Sequence, residues 1–353
     1  MTLCYYITGH GFGHAIRAAQ VMNALPPDVR LLVKTTAAER VFREELAGRP
    51  FDYFNVEYDC GCLQSDSVTV LPRATLDRYA EIARRNERIL SEEIAFLKRE
   101  GVSAVVTDAP SFPLRVASEA GIPGFIITNF TWHDIYREYK ETEADQALLD
   151  TMAREYASAT LALITDLAVP TIAALFPHSE RIPLVARHGR NIRAALAQAT
   201  GAKGSLALLY LGGWGLELNW AALAAFSDWT FLTYDPPPFP VANVRVLTSE
   251  WPYADVAASV NAVVTKPGYG TITECIANSV PLIYLPRTLF AEYNALVAGM
   301  NAWGGGVLLL DADYRAGRWG NALNAAQNAT LSPNVYETNG AQVAAEKIVR
   351  LLY

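Results

Sequence analysis

Apolar and polar positions follow two rhythms along the first half of the chain, and the rhythms take turns. Short apolar runs at residues 3–8, 29–34, 51–58, 104–107, 124–128 and 161–167 read as strands. Between them, residues 15–25, 37–46, 76–100 and 113–120 carry apolar positions at helical spacing; Ile82, Ile89, Ile94 and Leu97 form the stripe of the long charged segment. Such alternation predicts a parallel, doubly wound sheet. Residues 138–157 add a polar, helix-prone stretch, and residues 60–72 have no period and read as an irregular excursion. The pattern lapses over 177–204, which places an interdomain linker near 178–190. It restarts with strands at 206–211, 230–234, 244–247, 263–264, 282–285 and 307–310, a helix at 218–226 and a closing helix at 341–351. Two doubly wound domains facing each other across a cleft is the expected architecture.

Length agrees, because 353 residues exceed what one core usually supports. Hydrophobic residues at 51% against 18% charged supply two buried sheets and exclude a disordered chain. The net charge of -7 speaks against a nucleic-acid partner and a basic membrane-docking surface. No apolar run is long enough to span a bilayer, and the amino terminus opens on a strand without a charged leader. A soluble, cytoplasmic protein with no integral membrane segment is expected. Cys4 and Cys275 read as small core residues, while Cys60 and Cys62 lack the partners a metal site needs.

Candidate chemistry gathers at strand ends. The first strand runs straight into Gly9-His10-Gly11-Phe12-Gly13-His14 and then a helical pattern. In a parallel sheet that turn faces the ligand crevice, where glycines admit close backbone approach and imidazoles titrate near neutrality. Gly212-Gly213-Trp214-Gly215 is a second such turn, and glycine-rich turns of this kind are often only tight connections. More specific is Lys266-Pro267-Gly268-Tyr269-Gly270-Thr271-Ile272-Thr273-Glu274. Here Gly268 and Gly270 open the backbone, Thr271 and the following N–H groups would meet a phosphate, and Lys266 adds positive charge. Glu274, one turn along, could accept hydrogen bonds from a ribose diol; otherwise it is a solvated residue or a capping partner of Thr271.

Residues 266–274, with Val280-Pro281-Leu282-Ile283-Tyr284-Leu285-Pro286-Arg287 and Glu292-Tyr293-Asn294-Ala295, resemble the donor-site signature of GT-B glycosyltransferases. That superfamily includes the UDP-dependent glycosyltransferases and the transferase that completes the peptidoglycan lipid intermediate. Residues 7–17, 105–110 and 128–132 bring the likeness closest to the glycosyltransferase-like N-terminal region of plant arabinokinases and its bacterial relatives. The resemblance implies an α/β, GT-B architecture of two Rossmann-like domains: acceptor-binding over 1–180 and donor-binding over 190–353, with a final helix able to pack back on the first. It implies an inverting, metal-independent transferase without a cofactor. The co-substrate would be a nucleotide-diphosphate sugar, UDP-type, and the acceptor a small-molecule or glycan hydroxyl. His14 would be the base, oriented by Asp108 at the end of a buried strand. Gly212, Gly213, Trp214 and the 266–274 segment, Tyr269 included, would hold the donor nucleotide, and Glu292 and Asn294 the donor sugar. His10, Gly11, Phe12, Trp132 and His133 would line the acceptor pocket.

Alternatives stand beside these assignments. His10 competes with His14 as base, Asp108 could cap the next helix, and Trp132 could be core. Lys266 replaces a histidine usual in plant enzymes and keeps the cationic contact. Asp311-Ala312-Asp313 mimics a metal motif far from the donor signature and is read as coincidence. No Gly-Leu-Ser-Ser-type phosphate loop is present, so sugar kinase activity is not expected. A non-catalytic nucleotide-sugar sensor and a nucleotide-sugar epimerase or hydrolase are the rival functions.

Overall fold

The computed structural model describes residues 1–211 and 216–352; the predicted contacts Gly212, Gly213 and Trp214 lie outside the described residues. The first sheet holds seven parallel strands: β1 (Thr2–Ile7), β2 (Arg30–Thr35), β3 (Asp52–Asn55), β4 (Ala104–Asp108), β5 (Gly124–Thr128), β6 (Leu161–Thr165) and β7 (Ser179–Ile182). The second holds six: β8 (Ser205–Leu209), β9 (Trp229–Thr233), β10 (Val244–Val246), β11 (Ala262–Thr265), β12 (Leu282–Tyr284) and β13 (Gly306–Leu308). Their spatial orders are 3-2-1-4-5-6-7 and 10-9-8-11-12-13. β4, β5 and β6 are buried along their whole length, as strands covered by helices on both faces must be. Strand order reverses between β1 and β4 and again between β8 and β11, and in such sheets the crevice for ligands opens at the reversal.

Among the elements that differ from the sequence expectation, three have a plain physical reason. The stretch placed in the linker contains β7, whose Ser179, Glu180 and Arg181 are exposed; edge strands carry polar and charged side chains, which hid its period. Arg193–Thr200 forms a helix at the entry to the second domain, where an alanine-rich run offered little apolar contrast. The helix expected over 218–226 is a short 3-10 turn, Trp220–Ala225. Among the described residues no helix is long and apolar enough to cross a membrane.

The chain passes between the domains twice. After β7 it enters the second domain, and the final helix, Gly340–Leu352, returns to the first, burying Ala341, Ala344, Ala345 and Ile348 beside Ala15, Ala19 and Leu31. The two crossings are bound to each other. The Leu184 N–H donates to the Glu337 carbonyl at 3.0 Å, the Gly340 N–H donates to the Leu184 carbonyl at 3.0 Å, and Val185 and Asn339 form an antiparallel bridge. Gly340 permits this approach, because a Cβ there would collide with the Pro183 carbonyl oxygen.

Candidate active site

The reversal in the first sheet brings together two residues separated by 94 positions. Asp108 ends β4 in register with Ile7 of β1. His14 lies in the first turn of the helix Phe12–Ala24 that follows β1. Its Nδ1 stands 2.7 Å from Asp108 Oδ1. Arg17, one turn further along the same helix face, donates through Nε and Nη2 to both oxygens of Asp108, at 2.8 and 2.6 Å. Burial alone would raise the Asp108 pKa; the Arg17 charge and then His14 reverse this and hold it below the usual carboxylate value. An ionised carboxylate only accepts, so Nδ1 carries the proton and Nε2 keeps a lone pair.

The network continues across the cleft. Arg17 Nη1 donates to Asn129 Oδ1 at 2.7 Å, and Asn129 Nδ2 donates to Glu292 Oε2 of the second domain at 2.8 Å. Glu292, expected to hold a donor sugar, therefore directs one oxygen at the first domain. Asn294 is exposed on the helix Tyr293–Trp303.

His10 is chemically different from His14. The Cys62 N–H donates to its Nδ1 at 3.3 Å. Burial, followed by Arg287, His14 and Lys266, lowers its pKa well below the ordinary value, so it is held neutral. Its ring meets Trp132 edge-on at 5.4 Å and stacks on Phe290 at 6.1 Å. Trp132 is 1% exposed and donates its Nε1–H to Asp59 at 2.7 Å; the Thr8 hydroxyl donates to the other Asp59 oxygen at 2.6 Å. Burial pushes the Asp59 carboxyl up to about 6. Trp132 also tilts against His14 at 6.4 Å, so it walls the site between both imidazoles. His133 makes no such aromatic contact among the described residues, and burial lowers its pKa. Gly11 and Phe12 are exposed at the mouth of the turn, with Arg40 over the Phe12 ring at 5.8 Å.

On the donor side, Gly268 caps the helix Tyr269–Ala277, and the mouths of the two domains abut: a Cβ on Gly270 would lie 3.4 Å from Gly13 Cα. Lys266 is half-buried, and burial followed by the Arg287 charge lowers its pKa to about 8. Thr271 is half-buried in the first turn. Two residues of this segment sit differently from expectation. Tyr269 is buried; its hydroxyl accepts from the Val185 N–H at 3.1 Å and Arg17 covers its ring at 4.9 Å, so its side chain packs the domain junction. Glu274 is neither solvated nor a partner of Thr271: Arg187 grips its Oε1 through Nε and Nη2 at 2.8 and 2.7 Å and also binds Glu45 of the first domain. One guanidinium cannot neutralise two carboxylates, and burial raises Glu274 to about 7. Oε2 of Glu274 has no protein partner among the described residues. Asp311 and Asp313 pair with Arg315 and Arg318 at 2.7 Å.

Sequence reasoning missed Arg17, Asn129, Asp59 and Arg187. For Arg17 the spacing of three from His14 was the available signal; for Asn129, its position just past the end of β5.

No family model matches the chain. It is 29% identical over 364 residues to the L-arabinokinase of Arabidopsis thaliana, an alignment covering 98% of this chain and 34% of that protein. The chain thus spans about a third of the length of the curated relative it matches. Among solved structures, the calicheamicin glycosyltransferase CalG4 superposes with a TM-score of 0.63 at 17% identity, covering 99% of this chain and 98% of the other. Phytolacca americana UGT2, complexed with UDP-2fluoro-glucose and pterostilbene, gives 0.63 at 17%, covering 100% and 94%. Acinetobacter baumannii MurG gives 0.60 at 14%, covering 99% of each. The chain has the two-domain GT-B fold of these proteins.

Proposed function

We propose that this protein is an inverting, metal-independent glycosyltransferase that moves a sugar from a nucleotide-diphosphate donor, UDP-type, to an acceptor hydroxyl. The observation that carries the reading is the His14 Nδ1 to Asp108 Oδ1 contact of 2.7 Å at the strand-order reversal. His14 Nε2 takes the acceptor proton, and the ionised Asp108 steadies the imidazolium. The hydroxyl oxygen bonds to the anomeric carbon from the side opposite the diphosphate; the bond to the phosphate oxygen breaks and its electron pair leaves with the nucleotide. Lys266 and the N–H groups opening the helix Tyr269–Ala277 stabilise that charge. Glu274 Oε2 is the oxygen left for the ribose.

His14→Ala is expected to lower transfer by about 10²–10⁴-fold, the usual contribution of a general base. The melting-temperature increase caused by UDP should persist, because the base does not hold the nucleotide. Unchanged turnover overturns the base assignment. Turnover is expected to be the same with and without a chelator. Product analysis with donor alone addresses the rival enzyme classes, since epimerised or hydrolysed sugar formed at a comparable rate without acceptor would replace transfer as the reaction.

A further inference from the structure

We propose that Arg287 forms a carboxylate-binding subsite in the cleft and that one of the two substrates is a sugar acid. The proposal rests on the transferase reading for its location and on Arg287 itself for its chemistry. Arg287 follows β12 in the loop leading to the helix Tyr293–Trp303 and is 7% exposed. Its Nε and Nη2 are shut off from solvent and have no hydrogen-bond partner among the described residues. These two nitrogens form one edge of the guanidinium, the edge that meets both oxygens of a carboxylate side-on. Three other arginines hold a carboxylate on that edge, and Arg85, whose edge is also free, is paired through Nη1 with Glu57 at 3.5 Å. Arg17 directs the edge at Asp108 at 2.8 and 2.6 Å, Arg30 at Asp52 at 3.1 and 2.7 Å, and Arg190 at Asp255 at 3.0 and 2.6 Å. Arg287 presents the same edge with nothing on it. A buried charged donor left unmatched costs more than a made hydrogen bond returns, so the edge calls for an anion.

Its surroundings place that anion between the domains. The guanidinium carbon lies 3.3 Å from the centre of the Phe290 ring, and Phe290 stacks on His10 at 6.1 Å. Phe290 is buried among first-domain residues including Cys62, Trp132 and Tyr139, and the Tyr139 hydroxyl donates to the Leu289 carbonyl at 2.7 Å. Glu292, the nearby carboxylate, directs an oxygen at Asn129 and makes no ion pair with Arg287. Lys266 and the helix N-terminus already serve the diphosphate in the proposed reaction. Arg287 is thus a cation beyond that need, and its planar two-nitrogen edge matches a carboxylate. A sugar acid can bring one here either as the transferred sugar or as the acceptor.

The test is calorimetric titration of the full chain and of Arg287→Gln with UDP, UDP-glucose and UDP-glucuronate, and of the UDP-saturated protein with glucuronate. The expected result is UDP-glucuronate binding on the order of 10- to 100-fold tighter than UDP-glucose. That preference should vanish in Arg287→Gln while UDP binding stays unchanged. Glucuronate binding to UDP-saturated wild type, lost in the variant, supports the subsite with the acceptor as source. The proposal is overturned if neither ligand shows a carboxylate preference, or if Arg287→Gln weakens UDP as much as UDP-glucuronate, which makes Arg287 a diphosphate contact. Should Arg287→Gln fail to fold, Arg287→Lys keeps the charge without the two-nitrogen edge and must lose most of the preference. If UDP does not bind wild type, the transferase reading falls, while titration with glucuronate alone still decides the subsite.

Discussion

Asp108 gathers three nitrogens of two side chains around one buried negative charge. Arg17→Met keeps the packing volume and removes the cation that balances Asp108. Burial is then opposed only by His14, so the Asp108 pKa rises, and its protonated form no longer orients the base. The acid limb of kcat/KM is expected to move to higher pH, and urea unfolding should report a loss of about 3–5 kcal/mol, typical of a broken buried pair. A merely structural Arg17 would lower stability and leave the pH profile in place. His14 and Asp108 were legible in the sequence because each stands at the end of an apolar run, and the ends of adjacent parallel strands share one crevice. Arg17 was harder to see. It reads as an ordinary polar helix position, and only the fold shows that its helix face turns toward β4.

The two glycine-rich turns matter as elements, since each opens a helix and the openings meet at Gly13 and Gly270. Gly270→Leu puts a side chain into that meeting point and holds the domains apart. Transfer should fall sharply, far-ultraviolet circular dichroism should be unchanged, and small-angle scattering should report a larger radius of gyration. An unchanged radius with full activity would show that the contact is dispensable. The strand and helix rhythms revealed most of both sheets because these strands are buried on both faces and therefore continuously apolar. β7 escaped notice for the opposite reason, being an edge strand with exposed Glu180 and Arg181. The ion pairs of Glu274 also lay beyond reach, since Arg187 sits in a stretch without period and joins residues 87 and 142 positions away.

At the scale of the whole molecule, three buried carboxyls set the response to pH. Burial raises Asp59 to about 6 and Glu155 and Glu274 to about 7, all above the values near 4 of an unfolded chain. Through these three groups the folded protein holds more protons than the unfolded one between pH 4 and 7, which outweighs the opposite effect of His10 and His133, so stability falls as pH rises through that window. Urea midpoints are expected to decrease from pH 5 to pH 7.5, and a flat or rising profile would contradict these assignments. Deleting the final helix, residues 340–352, exposes the apolar patch beneath Ile348 and its three alanines. It should cost about 4 kcal/mol by the area it buries, with the loss seen in the first domain although the deletion is at the far end of the chain. The paired crossings at Leu184 and Gly340 have a mechanical meaning as well. A domain tethered at one point can swivel in any direction, but one tethered by two strands bonded side by side turns as a page turns on a spine. A rotation about that spine would part Asn129 from Glu292 and Gly13 from Gly270 in the same movement, so the contacts that complete the site would be made or lost together.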